Sequence, residues 1–484
     1  MKVHNLREFI SLLENRGQLR RINIPVSSEL EITEIADRTV KSGGPALLFE
    51  NVSGYNVPVV INLYGSLERI AWALGVEDLN QLTNKVQKIL GMLKEPPSGM
   101  IDKIRTLGDL VGLAGSQPKM VNRASCQDVT VTDENVDLNK FPILKCWPMD
   151  SGRFITLPLV ISRDPETGRR NVGTYRMQIY DNRTTGMHWQ THKVGARHSN
   201  VGKTLGYDKI PVAVAIGCDP TTMWSGSLPL PPDMDEIMVS GVIRGKAVEM
   251  VRCKTIDLEV PADSEIVLEG YVNPNELRTE GPFGDHTGYY SPAEDYSVFH
   301  VTAITHRQNP IYATTIVGRP TTEDYFMGKA SERLLLPALK LILPEVVDIN
   351  MPAEGIFHNL VLVSIKKEYP GHARKVMYAL WGLGLLMLAK NIVIVDEYVD
   401  VQNLSEVTWR VSANIDPMRD VVFSEGPVDD LDHATDSPGF GSKMGIDATA
   451  KGSMDGRTRQ WPSDIEMSED IKKLVDRKWK EYGI

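Results

Sequence analysis

Cysteine is scarce in this chain. Its 484 residues include four, Cys126, Cys146, Cys218 and Cys253, and no two have the C-x-x-C spacing. That argues against a zinc knuckle, a redox dithiol and a disulfide framework. Clustered positive charge is missing too. Lys and Arg number 53 against 63 Asp and Glu, for a net charge of −10, and no basic stripe forms. No nucleic-acid footprint is expected. Long apolar runs are also absent. The longest uncharged one, "VMYALWGLGLLMLA" at 376–389, falls short of the ~18 residues a membrane span needs. The opening "MKVHNLREFISLLENRG" lacks the apolar block of a signal peptide. A cytoplasmic protein without a transmembrane segment is expected. Neither a G-x-S-x-G elbow nor a Walker A motif occurs, so neither a serine hydrolase nor a P-loop is indicated. "PGFGSKMGIDAT" at 438–449 is glycine-rich, but it lacks a strand before and a helix after, so it reads as a turn.

What is present suffices for a large globular fold. Hydrophobic residues make up 42%, and at ~150 residues per domain the length suggests about three domains. The first, 1–118, reads as α/β. Leu6, Phe9, Ile10 and Leu13 have helical spacing with Gly17 beyond. "SSELEITEIADRTVKSGG" predicts a second helix capped by Ser27 or Ser28, and Ser66 can cap a third through Leu74. "PALLFE" and "VPVVINLY" read as strands. The second region, 119–320, is a run of short strands with turn signals, the pattern of a barrel or sandwich. Its one convincing helix is "MDEIMVSGVIRG". The third, 321–484, returns to α/β. "NLVLVSI", "NIVIVDE" and "DVVFSE" are strands alternating with helices over "GHARKVMYALWGLGLLMLAK" and "SEVTWRVSA", which predicts a mostly parallel sheet. A charged helix, "SEDIKKLVDRKWKEYGI", ends the chain. The fold class expected is multidomain α+β or α/β.

One stretch cannot build a core: "EGPFGDHTGYYSP", 280–292. It has three glycines, a histidine, two tyrosines and two carboxylates, Glu280 and Asp285, but no aliphatic residue. Glycines let backbone approach a ligand closely. If Glu280 and Asp285 share a pocket, one tends to keep a proton and becomes a general acid, and an adjacent arginine would fix which one stays charged. The plainer alternative is a solvated loop.

Two strand-like segments carry further polar groups. In "GMHWQTHK", His188, Gln190 and His192 share parity and would face one side, either as a site or as a wet surface. In "NVGTYRMQIYD", Asn171 and Arg176 differ in parity, so one shared site requires a bulge or an edge. Glu236 opens the central helix, where a carboxylate also serves the helix dipole. Asn, His and Glu together form a hard donor set suited to Mn²⁺ or Mg²⁺.

These segments, with "GSKMGIDAT", resemble the UbiD-like family of reversible aryl and acrylic acid decarboxylases. The resemblance runs nearly the whole chain. It implies a central split β-barrel that binds prenylated FMN, supplied by a separate flavin prenyltransferase, with its phosphate held through Mn²⁺ and a nearby K⁺. By that resemblance Asn171, His192 and Glu236 match the metal ligands. Asn171, Thr174, Tyr175, Arg176, His188, Trp189, Gln190 and Lys193 match residues that bind the cofactor. Arg176, Glu280 and Asp285 match the catalytic network. His188 stands where the ubiquinone-pathway branch has arginine, and Lys193–Val194 replace Arg–Gly; these departures bear on substrate rather than chemistry. The function implied is non-oxidative decarboxylation of an aromatic acid, releasing CO₂, in quinone biosynthesis or aromatic acid metabolism, by a homodimer or homohexamer. Two other readings of the residues remain: an Mn-dependent hydrolase using Asp285 and His286, and a non-catalytic flavin-carrying subunit.

Overall fold

A computed structural model describes residues 3–94, 115–190, 193–231 and 234–484. The first helix, Leu6–Asn15, is capped by the Asn5 side chain and buries Leu6, Phe9, Ile10 and Leu13, as the spacing predicts. The third, Leu67–Ala73, is capped by Ser66, which accepts from the Arg69 amide. The second begins later than expected, at Glu31, with Leu30 in the cap position at φ +65° and no side-chain cap. Ser27 is diverted: its hydroxyl accepts from the Glu29 amide and its own amide donates to Glu31. A further helix, Leu79–Lys94, and a strand, Leu19–Ile22, complete this part. Its sheet runs Leu19–Ile22, Ala46–Phe49, Val59–Ile61, and then Tyr312–Ala313 from much later in the chain. That last strand belongs here rather than to the central sheet.

The central sheet has seven strands. Thr184–Met187, Glu294–His306, Ile266–Glu280, Ile210–Ile216, Leu159–Arg163 and Arg170–Gly173 lie in that order, and Val129–Thr132 adds to Glu294–His306. Among the described residues, none of the sheets closes on itself, and three α-helices sit in this region. Glu236–Arg244 was expected; Val194–Thr204 and Pro220–Ser225 were not. Glycines and polar residues dilute the period of the first, and the second is too short to show one. A single apolar cluster extends from Val3 to Leu334, so the first two regions share a core.

The C-terminal sheet departs from expectation. Its order is Val346–Asn350, Leu360–Ile365, Asn391–Asp396, Phe440–Asp447, Val421–Pro427. The two inner pairings are parallel and the two outer ones antiparallel, so the sheet is mixed. The cause is "GSKMGID", expected as a turn, which is a full strand inserted between Asn391–Asp396 and Val421–Pro427. The predicted long helix stops at Trp381; Gly384 at φ +50° opens a 3₁₀ segment instead. The helix Glu323–Ile342 carries Pro337 inside it. Separate apolar clusters cover the two faces of the sheet. The terminal helix Glu469–Lys478 buries no residue. No helix among the described residues is long and apolar enough to cross a membrane.

Candidate active site

Glu280 ends the long strand Ile266–Glu280. The chain then turns at Gly281, φ +95°, where a Cβ would lie 2.8 Å from the Pro292 carbonyl. Only glycine takes this turn without strain. The rest of the stretch is a small hairpin, Phe283–Gly284 paired with Tyr290–Ser291, and Asp285 sits at its turn. The Gly284 amide donates to Asp150 and the Gly281 amide to Gln178, both at 2.8 Å. Backbone that could have been a solvated loop is thus tied down.

Arg176 lies between the two carboxylates. Its Nε donates to Glu280 Oε1 at 2.9 Å, its Nη1 to Asp285 Oδ2, and its Nη2 to Ser291 Oγ at 3.2 Å. The guanidinium also covers the Phe283 ring at 4.7 Å. Glu280 is fully buried and Asp285 nearly so. His188 Nδ1 meets the same Glu280 oxygen at 2.9 Å, and its ring packs 4.2 Å from that of Tyr296. His286 holds the other side of Asp285: both its amide and its Nδ1 contact Oδ1, at 2.7 and 2.8 Å.

The electrostatics correct one expectation. Burial pushes both carboxyls up, but cations outweigh it. His188 and Arg176 bring Glu280 below its ordinary value. Arg176 and His286 hold Asp285 well below the usual carboxylate range. Arg176 serves both acids, with the His188 ring on Glu280 and His286 on Asp285, so neither acid stores a proton at neutral pH. Burial lowers His286, but Asp285 more than offsets it and its pKa is raised.

The second group of predicted residues surrounds the strand Arg170–Gly173. Glu236 is buried, and its Oε2 accepts from the Val172 amide at 3.0 Å. It does not cap its own helix; Asp235 does, accepting from Ile237. Burial raises Glu236 to about 7. Asn171 Nδ2 donates to Tyr175 at 3.4 Å, and the Tyr175 ring meets Trp189 edge-on at 6.5 Å. The Thr174 amide donates to the Gly226 carbonyl at 3.0 Å. That bond marks where the strand ends, so parity does not carry from Asn171 to Arg176. The strand Thr184–Met187 likewise ends before His188, so strand parity does not carry through His188 and Gln190. Gln190 accepts through its carbonyl from the Lys193 amide. Lys193 takes the cap position of Val194–Thr204, and Asp429 and Asp430 face it. His192 lies outside the described residues. Ser291, Tyr296 and the partner role of His286 were missed. The first and third stand inside the quoted stretch; Tyr296 reads as an ordinary strand residue.

Several buried polar atoms around these groups have no partner among the described residues: Thr174 Oγ1, His188 Nε2, Trp189 Nε1 and Glu280 Oε2. Leaving so many unpaired is costly. They fit a polar ligand lying between the two groups, and Asn171 with Glu236 offers oxygen donors to a hard cation.

Residues 119–320 match the 3-octaprenyl-4-hydroxybenzoate carboxy-lyase Rift-related domain. Residues 325–448 match the C-terminal domain of the same enzyme, and 10–89 its N-terminal domain. An uncharacterized protein of Archaeoglobus fulgidus is 51% identical over 482 residues, 99% of each chain. Vanillic acid decarboxylase of Sedimentibacter hydroxybenzoicus in its closed form has a TM-score of 0.87 at 29% identity, covering 100% of this chain and 99% of its own; the open form scores 0.79. HmfF of Pelotomaculum thermopropionicum, a UbiD-class enzyme in complex with FMN, scores 0.80 at 29% identity, covering 98% of this chain and all of its own. An evolved dimeric form of HmfF carries prFMN.

Proposed function

The chain belongs to the UbiD family of carboxy-lyases, and from that premise we propose that it decarboxylates an aromatic acid reversibly, using prenylated FMN. The substrate class is a hydroxyarene or other α,β-unsaturated carboxylic acid. The observation that carries this reading is Arg176 held between buried Glu280 and Asp285, beside buried polar atoms that lack partners.

Asn171, His192 and Glu236 would hold Mn²⁺ at the cofactor phosphate, with K⁺ nearby. Thr174, Tyr175, His188, Trp189, Gln190 and Lys193 would line the flavin. When bound, prenylated FMN supplies the electron sink that decarboxylation at an sp² carbon requires. The protein's share is orientation, exclusion of water and a proton. Arg176 has five N–H donors. Three are committed to Glu280, Asp285 and Ser291, which leaves two for a substrate carboxylate. Glu280 and His188 fix the plane of the guanidinium. Asp285, ionised at rest, takes a proton from His286 and relays it to the carbon that loses CO₂.

The experiment is expression with and without a flavin prenyltransferase. Protein made with it should carry a modified flavin by native mass spectrometry and release CO₂ from members of an aromatic acid panel. Full activity with unmodified FMN, or none with the prenylated cofactor bound, would overturn the assignment. A metal-dependent hydrolase would show no flavin band, and a carrier subunit would bind flavin without turnover.

A further inference from the structure

His286 closes one side of the Asp285 carboxylate and turns its ring toward the C-terminal part of the chain. There it stacks on Phe357, with centroids 5.5 Å apart and planes at 21°, and lies 5.7 Å from the His358 ring. Asp429 stands beside both. A ring nitrogen of His286, one of His358 and a carboxylate oxygen of Asp429 all lie within 4.8 Å of one another.

The topology explains how they meet. His358 precedes the strand Leu360–Ile365, and Asp429 follows Val421–Pro427. The latter runs antiparallel to its neighbour. Its end therefore reaches the sheet edge where Leu360–Ile365 begins, and that edge faces the Asp285 hairpin. Tyr289 of the hairpin packs on His433 of the same edge, with ring centroids 4.0 Å apart.

His358 Nε2 is 3.1 Å from Asp429 Oδ2, an ion-pair distance. The nitrogen is nevertheless buried without an aligned hydrogen bond. Asp429 accepts from the Leu431 amide at 2.8 Å, which fixes its carboxylate. The groups facing the trio are Asp285 and Asp324 around His286, and Lys193 on the Asp429 side. Burial would raise Asp429, but His358 and His286 hold it well below the ordinary range. The cluster sets imidazoles against carboxylates and leads away from the reacting centre.

We propose that His358, held by Asp429, feeds protons through His286 to Asp285. This rests on the decarboxylase reading above. Each turnover breaks one carbon–carbon bond. CO₂ leaves without a proton, and the carbon keeps the electron pair and takes a proton from Asp285. Asp285, ionised at rest, has taken that proton from His286 Nδ1; the imidazole, left with its proton on Nε2, turns its ring so that the bare nitrogen accepts from His358 through one water, and His358 is recharged from solvent. Asp429 stays ionised throughout. One solvent proton enters for each proton delivered to carbon, and no oxidant or reductant is needed. His358 and Asp429 act through His286 and are positioning residues.

The test uses full-length holoenzyme with ¹³C-labelled histidine. His286 is assigned by its loss in His286→Gln and titrated by NMR in wild type, His358→Gln and Asp429→Asn. Asp429→Asn should lower the His286 midpoint by about one unit, and His358→Gln should shift it measurably. In steady state, His358→Gln should slow turnover by about 10- to 100-fold, less than loss of the acid itself. The alkaline limb of its pH profile should move to lower pH, and added imidazole should partly restore the rate in His358→Ala. A His286 titration unchanged in both variants, or full turnover by His358→Gln in an active wild-type background, overturns the path alone. No decarboxylation by wild-type holoenzyme sinks the function proposed above and the path with it. A second equivalent of divalent metal, bound by wild type and lost in His358→Gln, makes the trio a metal site and also overturns the path.

Discussion

The Val172 amide donates to Glu236 at 3.0 Å, and with the Arg170–Asp235 ion pair beside it this bond ties the helix Glu236–Arg244 to the strand that carries Asn171. A buried carboxylate raised to about 7 is poorly solvated for its charge, which a bound cation would relieve. Glu236→Gln keeps an acceptor for Val172 and removes the charge. We expect an unchanged or slightly higher Tm without cofactor, but metal and flavin lost together after gel filtration. Wild-type levels of both would rule out a bridging role for Glu236.

Asp285→Asn keeps shape and hydrogen bonding but cannot release a proton. With Arg176 still on one side and His286 on the other, flavin loading should hold. Turnover should fall ~10²–10⁴-fold. Stopped-flow spectra with product deuteration in D₂O measure this, and a rate within threefold of wild type would return Asp285 to an ordinary loop residue.

The Asp285–His286 pair also fixes how stability depends on pH. His286 is raised above its ordinary 6.5, so its stabilisation is complete below that value and is lost as pH rises through the higher folded value. Asp285 is lowered from 3.8, so its stabilisation is present above that value and is lost as pH falls through the folded one. Wild type should therefore exceed His286→Gln in Tm most clearly between about pH 4 and 6. The margin should narrow on the alkaline side. A constant difference across pH would mean that the pair is not an ion pair.

Much of this was legible in sequence, and the failures have physical causes. Strands such as Ile210–Ile216 and Leu360–Ile365 are nearly all buried and rich in branched residues, so composition marks them. Phe440–Asp447 carries glycines and a lysine and was read as a turn. Its lysine, Lys443, is buried and donates to the carbonyls of Met387 and Ala389, a partnership no local pattern encodes. Missing that strand made the sheet look parallel. The polar hairpin announced itself because it lacks aliphatic residues. Its protonation did not, since the groups that hold Glu280 and Asp285 ionised are Arg176 and the imidazoles of His188 and His286. The approach of His358 and Asp429 to His286 depends on which sheet edge faces the hairpin, and that is a property of the fold.

Gly186 offers a test of how tightly Glu280 must be held. It lies in the edge strand Thr184–Met187, opposite Val298. A Cβ there would stand 2.7 Å from Glu280 Oε2 and 3.1 Å from the Tyr180 hydroxyl. Glu280 is fully buried, and its other oxygen is engaged by both Arg176 and His188. Its carboxylate could therefore yield only by rotating away from those two. In Gly186→Ala the strand itself should be little harmed, because alanine is favoured over glycine there by ~0.5–1 kcal/mol. The Arg176 plane should tilt. A misplacement of that size at a positioning group costs on the order of 10²-fold in rate. We expect near-normal Tm and flavin content with turnover reduced to about that extent. Gly281→Ala is the contrasting case: there the obstacle is the Pro292 carbonyl and the backbone is at φ +95°, so the hairpin should loosen and Tm should fall along with activity. Normal turnover in folded, flavin-loaded Gly186→Ala would mean that Glu280 tolerates displacement. Orientation of Arg176 would then have to come from Asp285 and Ser291 alone.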